Sequence, residues 1–306
     1  MWFKNLIIYR FTKPFTESAE SLEAQLSEGR FRPCGKQELS SYGWVEPLGK
    51  QSDQLVHSTN GFLMLCARKE DRLLPASVVR ERVAEKVQEI EAAEHRKVYK
   101  KERDSFKEEI TFDLLPRAFT RNATTFAFIA PQQGLLLVDA SSFKRAEELV
   151  SYLRGSLGSL PVVPPALKQA PASIMTQWLE QTPVNFELGD EAELSEPGDE
   201  GGVIRCKRHD LTAEEIKIHL EAGKQVNKLS LSWSDQLNFL LSDDFSLKRL
   251  RFGDEIQEQA SDQGGDDAAS RFDADFALMS RCLCDLVEAL IEVLGGEDRA
   301  RLELQA

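Results

Sequence analysis

Residues 201–229 read GGVIRCKRHDLTAEEIKIHLEAGKQVNKL, and the way this stretch folds decides what kind of protein the chain is. After two glycines, Val203–Arg208 has the β-branched, alternating character of a short strand. Thr212-Ala213-Glu214-Glu215 has the Thr-x-x-Glu spacing of a capping box, in which the threonine oxygen takes an orphan helix N–H and the glutamate reaches back. The helix predicted to follow carries Ile216, Ile218 and Leu220 and stops at Gly223, which can take the left-handed C′ conformation. Leu229–Trp233 then reads as a second strand. This strand–helix–strand unit gathers Arg205, Lys207, Arg208, His209, Lys224 and Lys228 near the helix ends.

That cluster needs an explanation in a 306-residue chain of formal charge −13. The acidity is local. Glu187–Glu200 holds seven acids and no base, and Gly253–Asp275 holds eight acids and one base. Together they contribute −14, so the rest of the chain stands at +1 and can present a basic face. Composition (42% hydrophobic, 29% charged) is that of a globular protein long enough for two or three cores. Five cysteines, an odd number without a disulfide framework, point to a reducing compartment. The first residues, MWFKNLIIYRF, alternate like a strand, and no apolar stretch approaches the roughly 20 residues that span a bilayer. A cytoplasmic protein without membrane partners is expected.

Outward from the opening stretch, the chain reads as α+β with largely antiparallel sheets. Residues 2–11 form a strand, Thr16–Ser27 a helix, and Phe31–Cys34 and Tyr42–Val45 short strands. Asn60-Gly61 between two apolar runs marks a type I′ hairpin. From Pro75 to about Leu115 the pattern is helical and mostly polar, so it cannot be buried all round; it predicts a projecting arm, either one long helix or a helical hairpin. Residues 124–130 and 135–139 pair as strands, and Ser142–Arg154 is an amphipathic helix that Gly155–Ser159 caps and turns. The proline-stiffened Gly158–Pro165 connector divides a discontinuous central domain (1–74 and 120–165) from a second module (166–306), with 75–119 as the arm. In that module the acidic Gly253–Asp275 segment reads as a mobile loop, and Phe276–Leu294 as a final helix buried on one face.

Few residues suggest catalysis. No H-E-x-x-H, zinc spacing, phosphate-binding glycine loop or nucleophile elbow occurs, so neither a cofactor nor a metal is implied. Cys282 and Cys284 fall on different sides of a helix and read as ordinary thiols. The enzyme reading is a metal-dependent nuclease built on Asp139, Asp243, Asp244, Asp273 and Asp275; turn and cap aspartates are the alternative. The basic residues carry more. Lys97, Lys100 and Lys101 on the arm, with the opening cluster, suit electrostatic, sequence-tolerant phosphate binding, or else form a solvated charged face. No recognition helix or RNP-type strand supports base readout.

The chain resembles the RdgC family of bacterial recombination-associated DNA-binding proteins. The resemblance is carried by Trp2–Leu6, Phe31–Gly35, Cys66–Glu70, Leu114–Phe119, Gly155–Pro164, Gly201–Arg205, Asp210–Thr212, Glu221–Lys224 and Arg271–Phe276, in order along nearly the whole length. It implies a non-catalytic homodimer closed into a ring around double-stranded DNA, with single strands as a further ligand. It also implies nucleoid association and antagonism of RecA. On this reading Lys97, Lys100, Lys101, Arg117, Arg205, Lys207, Arg208, His209 and Lys228 bind DNA. Phe119 anchors one dimer contact, its alternative being a core phenylalanine, and Lys224 lies near the other contact or the hole. A protein that acts on recombination proteins, with incidental DNA affinity, is the competing class. The discriminating feature is whether Lys207, Arg208, Lys224 and Lys228 line one concave surface.

Overall fold

The computed structural model describes residues 1–198, 201–298 and 300–302. Asp199 and Glu200 of the first acidic segment, and the last residues of the 166–306 module, lie outside the described residues. In chain order the strands are β1 (Asn5–Phe11), β2 (Ser40–Val45), β3 (Val56–Thr59), β4 (Phe62–Leu73), β5 (Phe119–Ala130), β6 (Leu135–Val138), β7 (Val162–Val163), β8 (Phe186–Ser195), β9 (Val203–Lys207), β10 (Gln225–Trp233), β11 (Leu237–Ser242) and β12 (Leu247–Phe252). The helices are α1 (Ala19–Ser27), α2 (Ala76–Glu94), α3 (Lys100–Leu114), α4 (Phe143–Leu157), α5 (Pro171–Trp178), α6 (Glu214–Glu221), α7 (Asp254–Gln263) and α8 (Ala268–Val293). The fold is α+β and its strand pairs are antiparallel. No helix among the described residues is long and apolar enough to cross a membrane.

The chain packs as two compact units. The first comprises Met1–Glu28, Glu46–Cys66 and Thr125–Ala306. Its sheet runs β4-β5-β6-β1-β12-β11-β10-β8-β9, with β3 on β4 and β7 on β1. β1 is the hinge of this arrangement: Asn5 and Leu6 pair with β12, Ile7–Arg10 with β6, and Arg10–Phe11 with β7. Hydrogen bonding therefore continues across the proline connector, because β7 lies inside it and β12 beyond it. One side of the sheet packs against α8, and in β1 and β6 the residues of the other side, Ile7, Tyr9, Leu136 and Val138, are buried as well. α8 sets Phe276, Met279, Leu283, Leu286, Val287 and Leu290 into the core at three- and four-residue spacing, with Leu229, Leu231, Leu241 and Leu247 from the strands. Asp267 caps α8, accepting from the N–H groups of Ala269 and Ser270 at 2.9 Å.

The second unit is Gly29–Val45 with Ala67–Thr124. Residues 76–114 are a hairpin of two helices rather than one long helix. Lys86 Nζ reaches Glu109 at 2.7 Å and sits 4.9 Å above the Phe106 ring, tying α2 to α3. His95 in the left-handed region ends α2, and Glu91 accepts from the buried Val98 N–H in the turn. Arg72 holds the hairpin's root: its guanidinium donates to the carbonyls of Gly35 (3.0 Å), Cys34 (3.3 Å) and Leu115 (2.9 Å).

Three expectations are corrected. Phe31–Cys34 is not a strand. It lies beside β2, with Phe31 N–H on Trp44 O at 2.8 Å, but Pro33 has no N–H and Arg72 takes the Cys34 and Gly35 carbonyls. Gly253–Asp275 is not a loop. Asp254 and Glu255 suit the positive end of α7, whose Ala260 is buried, and α8 already begins at Ala268. The Thr212 capping box does not form. α6 starts after Ala213 without a side-chain cap, and the Thr212 hydroxyl donates instead to Asp210 at 2.7 Å.

Candidate nucleic-acid interface

Strand alternation in the first unit puts Leu229, Leu231, Ala192 and Leu194 into the core and leaves the intervening residues on the opposite, uncovered side. Glu191 and Glu193 of β8 therefore face outward, directly across from Lys207 and Arg205 of β9, with Glu193 also opposite Lys228 of β10. The side chains pair accordingly. Glu193 accepts from Arg205 Nε and Lys228 Nζ, each at 2.7 Å. Glu191 accepts from Arg249 at 2.8 Å and has Lys207 Nζ at 3.8 Å. Two carboxylates thus share four cations, leaving an excess of positive charge. The hydrogen bond from Lys228 holds the Glu193 carboxyl below the usual range, and that from Arg249 does the same for Glu191.

Beside this ladder is a groove of about 820 Å³, lined among others by Gly189, Arg208, His209, Ser230, Asn238 and Arg251. Its neighbour, lined by Glu191, Arg249 and Arg251, continues across β11 and β12. Arg208 and Arg251 are exposed, and among the described residues neither guanidinium has a hydrogen-bond or ion-pair partner. Arg208 (φ 51°) and Arg249 (φ 54°) both sit in the left-handed region, the latter beside an irregularity in the β11–β12 register. For a non-glycine residue this costs on the order of 1 kcal/mol.

Lys224 does not join this face: it is on the turn before β10, only 11% exposed and ion-paired with Glu196. His209 is half-buried at the groove, its Nε2 3.6 Å from Glu215. Lys97, Lys100, Lys101 and Arg117 belong to the second unit and are exposed. Phe119 is 84% exposed at the start of β5, so it is not a core residue. Of the four residues chosen to discriminate the classes, Lys207, Lys228 and Arg208 share the face or its groove, and Lys224 is neutralised apart from them. Sequence reasoning missed Arg249 and Arg251. The strand pair of β11 and β12 was legible, but left-handed Arg249 breaks the alternation of LKRLRF, so that Leu247 and Leu250 are both buried and the outward residues cannot be picked by period two.

Four of the five carboxylates of the nuclease reading are individually engaged. Asp139 accepts from the Asn5 and Lys4 N–H groups at 2.9 and 3.2 Å, and burial pushes it up from the ordinary range. Asp244 accepts from Ser246, Asp273 lies 3.0 Å from His57, and Asp275 meets the chain's N-terminal amine. Among the described residues no three His, Cys, Asp or Glu side chains converge as a metal would need. Burial raises the Cys282 and Cys284 thiols to about 12, which makes them unreactive.

Fold and site together define an α+β protein whose antiparallel sheet is packed with helices and bears, on β8 to β12, a cation-rich, grooved polar face. The family model described as "Putative exonuclease, RdgC" matches residues 1–297. A "Recombination-associated protein RdgC" of Pseudomonas fluorescens (strain Pf0-1) is 52% identical over 301 residues, covering 97% of this chain and 98% of its own. The protein of that name from Aeromonas hydrophila is 51% identical over 302 residues, 98% of this chain and 100% of its own. The chain belongs to the RdgC family.

Proposed function

We propose that the chain is a non-catalytic, sequence-nonspecific binder of duplex DNA that works as a homodimeric ring and restrains RecA-promoted strand exchange. The observation that carries this reading is the uncovered sheet face, where cations outnumber carboxylates. Lysine and arginine at that density neutralise phosphates and release counterions without reading bases. Binding of this kind associates a protein with the nucleoid. Single strands offer the same phosphates and would bind more weakly, with fewer charges per unit length. A ring needs two self-complementary contacts. An exposed Phe119 in the second unit suits one of them, and closure would let few phosphate contacts suffice. Occupying the duplex that RecA invades is enough to inhibit recombination without direct contact.

The test is retention on nicked circular against linear duplex of equal length after a high-salt chase. Persistence on the circle and loss from the linear form is the expected result; equal loss from both would remove the ring. The family description also names an exonuclease. Intact end-labelled duplex after incubation with magnesium or manganese is expected from the engaged carboxylates, and processive loss of the label would establish the enzyme instead.

A further inference from the structure

The cations of the uncovered face fall into two sets. Arg205, Lys207, Lys228 and Arg249 are already shared between Glu191 and Glu193, whereas Arg208 and Arg251 line the 820 Å³ groove with no hydrogen-bond or ion-pair partner for either guanidinium among the described residues. We propose that this groove is the phosphate-binding site of the face, with Arg208 and Arg251 as its ligands. On the DNA-binding reading above, on which the ligand's identity rests, it holds one backbone phosphodiester of the duplex.

Three observations converge on it. First, a guanidinium presents two parallel N–H donors that match two oxygens of a phosphate, and these two are not already neutralised. Second, the groove is kept open by a glycine. A Cβ on Gly189 would stand 2.4 Å from Ser230 Oγ and 2.8 Å from its Cβ, so any side chain there displaces Ser230 on the groove wall. Third, two left-handed non-glycine residues lie here: Arg208 at the groove and Arg249 in the adjoining one. Glycine or asparagine would relieve that strain, and arginine occupies both positions. The groove's own acids set its limit. Asp210 is committed to the Thr212 N–H and hydroxyl at 2.9 and 2.7 Å, and Asp190 on the wall opposes an anion. Hydrogen bonds from the neutral Thr212 leave Asp210 charged, so two arginines face two carboxylates, and the phosphodiester is held by guanidinium hydrogen bonds rather than by net charge.

The experiment uses the full chain, a fluorescent 20-base-pair duplex titrated at several salt concentrations, and inorganic pyrophosphate followed by calorimetry. Arg208→Gln and Arg251→Gln should each weaken duplex binding about tenfold and flatten the salt dependence by about one counterion. Arg205→Gln, which removes a cation already shared with Glu193, should change it less than about threefold. Asp190→Asn should strengthen binding of both ligands. Wild-type duplex affinity in Arg208→Gln and Arg251→Gln, beside a large loss in Arg205→Gln, would overturn the groove while leaving DNA binding intact. Pyrophosphate binding that depends on Arg251, in a chain that does not bind duplex, would overturn DNA as the ligand and leave a site for free phosphate compounds. Should Arg251→Gln fail to fold, Arg208→Gln, at an exposed loop position, decides the matter alone.

Discussion

At the scale of single residues, two arginines do opposite work. Arg208 strains the backbone to place a charge at the groove, so Arg208→Gly is expected to stabilise the fold by about 0.5 kcal/mol, the relief of left-handed strain less the entropy glycine loses on folding. Duplex affinity should fall in the same variant. A melting temperature that fell with the affinity would mean the arginine is structural. Arg72 is structural. Its guanidinium gathers four backbone carbonyls that have no strand partner, and lysine cannot span them. Arg72→Lys should cost about 2 kcal/mol and expose the Cys34–Gly35 and Leu115–Ala118 amides to hydrogen exchange, with the first unit's sheet unaffected. Gly43 is equally constrained: a Cβ there would stand 2.4 Å from the Phe31 Cα, which no side-chain rotation relieves.

At the scale of elements, β8 and β9 form a cross-strand ladder of opposite charges, and its carboxylates compete with any phosphate for the same cations. Both glutamates titrate below their unfolded range. The stability they contribute is therefore complete above about pH 4.5 and is lost as pH falls through their lower folded values. The same protonation frees four cations. Glu193→Gln imitates half of it at neutral pH by freeing Arg205 and Lys228: stability should drop by about 1 kcal/mol while duplex affinity rises several-fold. Chemical denaturation and salt-dependent binding measure the two effects. An affinity that fell with stability would show that the ladder's order, and not its charge, serves binding. The acidic segments also acquire definite roles at this scale. The first is β8 itself, and the second supplies the first turn of α7 and the Asp267 cap of α8.

At the scale of the whole molecule, Phe119 is an aromatic side chain left 84% exposed to water. Burying a phenylalanine from water is worth roughly 1.5–3 kcal/mol, so Phe119→Ser should weaken self-association by at least tenfold. Analytical ultracentrifugation over a concentration series reads this, and an unchanged dimerisation constant would remove Phe119 from the contact. On the proposed ring reading, retention on circular DNA should fall with it, since a ring with one weak contact would open more often.

Much of this molecule follows from local sequence. The Asn60-Gly61 hairpin, the Gly158 end of α4, the Gly223 stop after α6 and the buried stripe of α8 depend on backbone conformations and periodicities confined to a few consecutive residues. The α+β class and the RdgC family were legible for the same reason, through motifs spread in order along the chain. What sequence could not decide was which charges are free. Arg205, Lys207 and Lys228 look identical in sequence to Arg208 and Arg251, yet the first three lie opposite Glu191 and Glu193 and the last two do not. That difference rests on strand register between segments many residues apart. Charge neutralisation is a through-space property, and only the tertiary structure sets those distances.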